Sequence, residues 1–140
     1  MTEQNFKNLP KYVLGFHLVT FVTILASLAI SILMIFNLGI NSSTIFGILI
    51  ALGLIFLFFY TRQFATGNQD RIIRAEENLR YYLLTGKMFD SRLTRDQIIA
   101  LRFADDSEYV RLSEKAISQN LSSKNIKEAI QKWRADYHRI

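Results

Sequence analysis

"LVTFVTILASLAISILMIFNL" occupies residues 18–38, and how it is read decides the fold. The run is uncharged, and as a helix rising about 1.5 Å per residue it reaches about 31 Å, the hydrocarbon thickness of a bilayer. Leu, Ile, Val and Phe dominate it. Each favours insertion by roughly 0.3–0.6 kcal/mol, which together outweighs Thr20, Thr23, Ser27, Ser31 and Asn37. A second uncharged run, "TIFGILIALGLIFLFFYT", fills residues 44–61 with the same residue types. A buried core helix or a signal peptide would share this apolarity. A signal, however, has a shorter apolar region and ends in small residues of A-x-A type, whereas residues 35–40 read IFNLGI. Only Gly39, Ile40, Asn41, Ser42 and Ser43 separate the two runs. A helical hairpin is the economical arrangement, because backbone in lipid must satisfy its own hydrogen bonds. Ser27 and Ser31 in one run and Gly47 and Ala51 in the other form small-xxx-small pairs that let helices approach closely, within the hairpin in preference to between two copies.

Basic residues orient the hairpin. Lys7 and Lys11 precede the first run, Arg62, Arg71 and Arg74 follow the second, and the loop between carries no charge. Both termini are therefore expected in the cytoplasm, with Tyr12, Phe16 and Tyr60 at depths where interfacial aromatics collect. Arg62, Arg71 and Arg74 are also candidate contacts to an anionic lipid surface. No Asp, Glu, Lys, Arg or His lies deep in either run, so a proton relay, ion pathway or transporter lacks the polar residues it would need. The chain has no Cys, in keeping with a body in a reducing compartment.

From residue 62 the composition changes. Over 62–140 there are 15 Lys and Arg against 11 Asp and Glu, no Pro, and helical periodicity nearly throughout. Ile72, Ala75, Leu79 and Leu83 share one helix face, and Asp70 with Arg74 and Glu76 with Arg80 have i,i+4 spacing on another. Thr66, Gly67 and Asn68 are a point where that helix is expected to break. After the linker TGKMFDSR, Thr94 and Gln97 have the spacing of a capping box opening a helix to about Phe103. Asp105, Asp106 and Glu108 are expected to start the next helix, with Val110, Ser113, Ala116 and Ile117 facing inward. Residues 120–123 end it and cap the last. There Ile126, Ala129, Ile130, Trp133 and Tyr137 recur at helical spacing as an apolar stripe, closing the core or docking a partner. If that stripe packs on Ile98, Leu101, Ala116 and Ile117, losing the Trp133 side chain costs roughly 3–5 kcal/mol.

The blocks QNFKNLPKYVLGFH, QDRIIRAEENLRYY, LTRDQIIALRFADDSE and IKEAIQKWRADYHRI, in this order, resemble an uncharacterised bacterial family of small two-span membrane proteins, domain of unknown function family 6526. The resemblance covers nearly the whole chain. It implies a bacterial cytoplasmic membrane and supplies no activity, ligand or catalytic residue.

The expectation is thus an all-α membrane protein with three regions: a cytoplasmic N-terminal segment at 1–16, a two-span transmembrane helical hairpin at 17–61, and a cytoplasmic module of about four helices at 62–140. Its partners are the lipid bilayer and another protein or a second copy. Neither a metal nor another cofactor is expected, since His17 and His138 lie far apart in the chain and Asp105, Asp106 and Glu108 read as helix-starting acids. No catalytic motif is found in the sequence, so an enzyme is not expected; an unrecognised enzyme is one alternative. The other is a membrane-anchored regulator of helix-turn-helix type, with residues 123–133 as recognition helix bearing Lys124, Asn125, Lys127 and Gln131. Against it stand Lys115 and Gln119, where that motif wants apolar packing, and a modest net charge of about +4 over 62–140, which makes nucleic acid the less favoured partner.

Overall fold

A computed structural model describes residues 4–6 and 13–137, and all regular structure among them is helical. A π-helical turn, Gly15–Thr20, runs into α1 (Phe21–Leu38); α2 is Ser42–Thr85, α3 Arg95–Leu101, α4 Asp106–Ser118 and α5 Ser123–Ala129. Lys7, Lys11, Tyr12, His138 and Arg139 lie outside the described residues. The chain divides into two compact units, one within Lys11–Ala65 and one built on Thr66–Ile140.

In the first unit α1 and the start of α2 pack along a seam of small and β-branched residues. Ile24, Ser31, Thr44 and Ala51 are buried there, while most other side chains of both helices point outward. Residues 15–38 and α2 are each long and apolar enough to cross a membrane, and only 11% of the most apolar stretch of either is buried. The polar side chains within α1 satisfy themselves: Thr23 Oγ1 donates to Val19 O at 2.8 Å, Ser31 Oγ to Ser27 O at 2.8 Å and Asn37 Nδ2 to Leu33 O at 3.0 Å. Such back-bonding lets hydroxyl and amide groups sit in an apolar stretch without an orphaned donor. Between the helices Gly39 takes a positive φ of 72°. Asn41 Oδ1 then accepts from Ser43 N at 3.0 Å and Thr44 N at 3.1 Å, while Thr44 Oγ1 accepts from Asn41 N at 3.0 Å. This reciprocal cap starts α2 with neutral side chains alone.

Helix α2 does not break at Thr66, Gly67 and Asn68 as the sequence led us to expect. A lone Gly costs a helix about 1 kcal/mol relative to Ala, too little to interrupt one held on both sides of it.

In the second unit the capping box forms: Thr94 Oγ1 accepts from Gln97 N and Gln97 Oε1 from Thr94 N. Gln97 Nε2 also reaches Leu121 O at 3.0 Å, tying α3 to the turn before α5. The core gathers Leu93, Ile98, Leu101, Ala104, Tyr109, Leu112, Ala116 and Ile126. The inward face of α4 is Tyr109, Leu112, Ser113 and Ala116, so Val110 and Ile117 sit at its margin, half-buried. Asp105 is the N-cap of α4 and accepts from Ser107 N at 3.1 Å. Asn120 ends α4 in the left-handed region, φ 46°, and Ser122 caps α5 through Asn125 N at 3.2 Å.

The largest departure from the sequence reading is at the C-terminus. The helix stops at Ala129, and Ile130 takes an extended conformation, φ −68° and ψ 124°. Residues 130–137 form a strap, joined to Ala104 through a single antiparallel bridge at Trp133. Ile126, Ile130, Trp133 and Tyr137 therefore do not share a helix face.

Candidate functional site

The strap is the feature of the second unit that local sequence patterns did not disclose, and one buried acid holds it. Glu108, in the first turn of α4, turns its carboxylate to the strap's backbone. It accepts from Lys132 N at 2.8 Å and from Gln131 N at 3.1 and 3.2 Å. Asp105 N donates to Lys132 O at 3.0 Å and Arg134 N to Phe103 O at 2.7 Å, completing the bridge. The Trp133 ring stacks on buried Phe103, centroids 4.8 Å apart and planes 13° from parallel. Trp133 is only half-buried, and its Nε1 is enclosed with no hydrogen-bond acceptor. Asp136 anchors the strap's end, facing Arg102 Nη1 at 3.4 Å and exchanging backbone bonds with the Gln4 amide at 2.6 and 3.1 Å.

Helix N-termini favour acidic side chains through exposed amides and the dipole, yet the three acids at the start of α4 do three different things. Asp105 caps the helix, and its hydrogen bonds to Ser107 hold its carboxyl below the usual carboxylate range. Asp106 pairs with Arg80, Nε to Oδ1 at 2.7 Å. Glu108 binds the strap. Among the described residues no three His, Cys, Asp or Glu are grouped to hold a metal ion.

Beside the strap lies a polar groove. Arg80 is nearly buried, its guanidinium 4.0 Å above the Tyr109 ring centroid, with Nη1 to Glu77 at 3.1 Å and Nη2 to Ala104 O at 2.7 Å. Tyr109, wholly buried, donates its hydroxyl to Glu77 O at 3.3 Å. Burial, with the charge of Glu77 adding to it, pushes the Tyr109 phenol well above its ordinary value. Glu77, buried itself, also faces Arg134 at 3.9 Å. Around this network are two connected hollows of about 620 and 360 Å³, both bordered by Glu76, Glu77 and Arg134. Arg80 and Arg134 each have a carboxylate within 4 Å, and carboxylates outnumber guanidiniums along the lining, so the groove is a clamp between α2, α4 and the strap, not a bare cationic site.

The i,i+4 pairs expected on α2 are not formed. Arg80 takes Glu77 and Asp106 instead of Glu76, and Asp70 faces Arg95 at 3.8 Å instead of Arg74. For Arg80 the i,i+3 neighbour Glu77 wins because that pair is nearly buried, while an exposed i,i+4 pair is worth only about 0.3–0.5 kcal/mol. Arg71, Arg74 and Glu76 are left exposed and form no ion pair among the described residues; Arg62 is half-buried.

Sequence-named residues fall as follows. Ser31 and Gly47 meet across the hairpin, where a Cβ added at Gly47 would stand 2.9 Å from Ser31 Oγ. Ala51 is buried in the same seam, and Ser27, half-buried, donates to Ile24 O at 2.7 Å. Ile126 is fully buried in the core and Ile130 packs on its edge, Trp133 lies on Phe103, and Tyr137 is 61% exposed. Lys124 pairs with Glu128 at 3.8 Å on the short α5, and Gln131 lies beyond that helix, in the strap. Ile72, Ala75, Leu79 and Leu83 face outward, and it is Ile73 and Glu77 that turn inward.

The model of a family of unknown function, DUF6526, matches residues 1–140. The chain belongs to this family. Neither a curated protein nor a solved structure matches it. Membership fits the four sequence blocks, which fall on the N-terminal segment, the second half of α2, the α3–α4 corner, and α5 with the strap.

Proposed function

We propose that this is an integral protein of a bacterial inner membrane, its hairpin crossing the bilayer twice and its C-terminal module acting as a cytoplasmic docking body for protein. The observation that carries the reading is the outward apolarity of the first unit. Phe36, Phe46, Leu49, Phe56, Leu57 and Phe59 are all exposed on helices that bury only 11% of their most apolar stretch. A soluble core helix is mostly buried, and an exposed apolar surface of this extent calls for lipid or a partner. Loop residues 39–43 carry no charge while Arg62, Arg71 and Arg74 follow the second helix, which favours a cytoplasmic module. Docking in preference to catalysis is supported by the ion-paired guanidiniums of the groove and by the exposed apolar side chains of the module itself.

Because the chain has no Cys, single introduced thiols report topology without background. Ser42→Cys is expected to react with an impermeant maleimide in intact spheroplasts, and Ser123→Cys only after lysis. The reverse pattern would overturn the orientation, and recovery of the protein in the soluble fraction after alkaline carbonate washing would overturn insertion altogether.

A further inference from the structure

The part of α2 beyond residue 66 has two faces. Ile73, Glu77, Arg80 and Tyr81 turn into the module. Ile72, Ala75, Leu79 and Tyr82 are all exposed, with Leu83 beside them at 75%. At about 100° per residue the centres of these faces lie about 160° apart, so the apolar stripe points directly away from its own core. Its spacing of three, four and three residues is that of the a and d positions of a two-stranded coiled coil. Arg71 and Glu76 then fall at g and e, flanking the stripe on opposite sides, both exposed and both without an ion pair among the described residues.

That charge pattern selects the partner and its direction. In a parallel in-register pair, g of one helix meets e of the other five residues further on, so Arg71 would face Glu76 of a second copy, twice by symmetry. An antiparallel pair opposes g to g and e to e, so no register of it brings Arg71 to Glu76. We infer that residues 71–83 of α2 form a parallel homodimer seam. The inference rests on the membrane reading: two chains inserted with the same orientation in one bilayer are held parallel, and confinement supplies the effective concentration that a seam of under two heptads needs. The stripe then serves self-association, leaving the strap side of the module open.

The experiment uses full-length protein in native membranes, washed with alkaline carbonate and oxidised gently. Ile72→Cys and Tyr82→Cys are each expected to form disulfide dimers with their own kind, while Glu114→Cys, exposed on α4, stays monomeric. Only a parallel, in-register seam crosslinks at both of two sites ten residues apart. In the Tyr82→Cys background, Arg71→Glu or Glu76→Arg should each lower the dimer fraction about fivefold or more, and the two together should restore it, since the swapped pair is again complementary. Retention in the washed membrane without crosslinking at either site overturns the seam and leaves the membrane reading standing. Crosslinking at one site only, or crosslinking indifferent to both reversals, overturns the parallel register. Discrete adducts with a different protein would assign the stripe to that protein instead. Appearance in the soluble fraction would overturn insertion, and with it the parallel geometry.

Discussion

Replacing Glu108 by Gln tests whether the C-terminal strap hangs on one carboxylate. The side chain is buried and receives the N–H groups of Gln131 and Lys132, the shortest contact 2.8 Å. Oε1 takes both N–H groups and Oε2 shares that of Gln131, so a glutamine oxygen at the Oε1 position makes two neutral bonds in place of charge-assisted ones and sets its NH₂ against the Gln131 N–H. Hydrogen bonds to charged groups contribute about 1.5–3 kcal/mol net, which corresponds to a roughly 10- to 150-fold rise in the ratio of detached to docked strap. Beside that carboxylate, Asp105 N to Lys132 O and Arg134 N to Phe103 O are neutral backbone bonds worth about 1 kcal/mol each, and Asp136 holds the strap's far end through Arg102 and Gln4. Helix content should hardly change, because α5 ends at Ala129, before the strap begins. The assay is the fluorescence of Trp133, the only Trp in the chain, in full-length protein. In Glu108→Gln its emission should move to the red and its quenching by acrylamide should rise well before urea unfolds the helices. Glu114→Gln, an exposed acid on the same helix, should leave both unchanged. If Glu108→Gln matches the parent in emission, quenching and unfolding midpoint, the carboxylate does not hold the strap and the reasoning fails.

Trp133→Ala should cost about 2 kcal/mol, below the 3–5 kcal/mol of a fully buried Trp, because the residue keeps part of its surface in solvent and its enclosed N–H lacks an acceptor; Phe103 stacking supplies about 0.5–1.5 kcal/mol of it. Chemical denaturation of the two forms measures the difference, and a cost above 4 kcal/mol would contradict the half-buried placement. Tyr109, whose phenol is pushed up from 10.0, stays neutral in the folded chain after unfolded chains begin to ionise. That sign means its contribution is complete below about pH 10 and lost as pH rises further, by up to about 1.4 kcal/mol per pH unit, a slope that Tyr109→Phe should reduce in alkaline denaturation. Gly47→Ala should be mildly destabilising, since the new Cβ meets only the movable Ser31 Oγ at 2.9 Å, whereas Gly47→Leu should separate the hairpin and be partly rescued by Ser31→Gly. Proteolysis of the two Gly47 variants in membranes reads this difference.

What the sequence determined alone are the features set by short-range chemistry. Two uncharged apolar runs gave two long helices with an Asn41 and Gly39 turn between them. Thr94 with Gln97, Asp105 and Ser122 marked three helix starts, because a cap is satisfied by amides two or three residues away and needs nothing distant. Residues 123–137 show where that logic stops. Their apolar spacing was helical to Tyr137, but a helix continued past Ala129 could not deliver Gln131 and Lys132 N–H to Glu108 or lay Trp133 on Phe103, some 25 to 30 residues earlier in the chain. Tertiary partners overrode local periodicity there, as they did at Arg80, which left Glu76 for Asp106 and the Tyr109 ring beside its buried neighbour Glu77. The same packing decided which side of α2 turned inward: buried Glu77 joined the Arg80 and Tyr109 network, and the more apolar face of Ile72, Leu79 and Leu83 was left outside. Periodicity names the faces of a helix, but only the position of the rest of the chain says which face is covered.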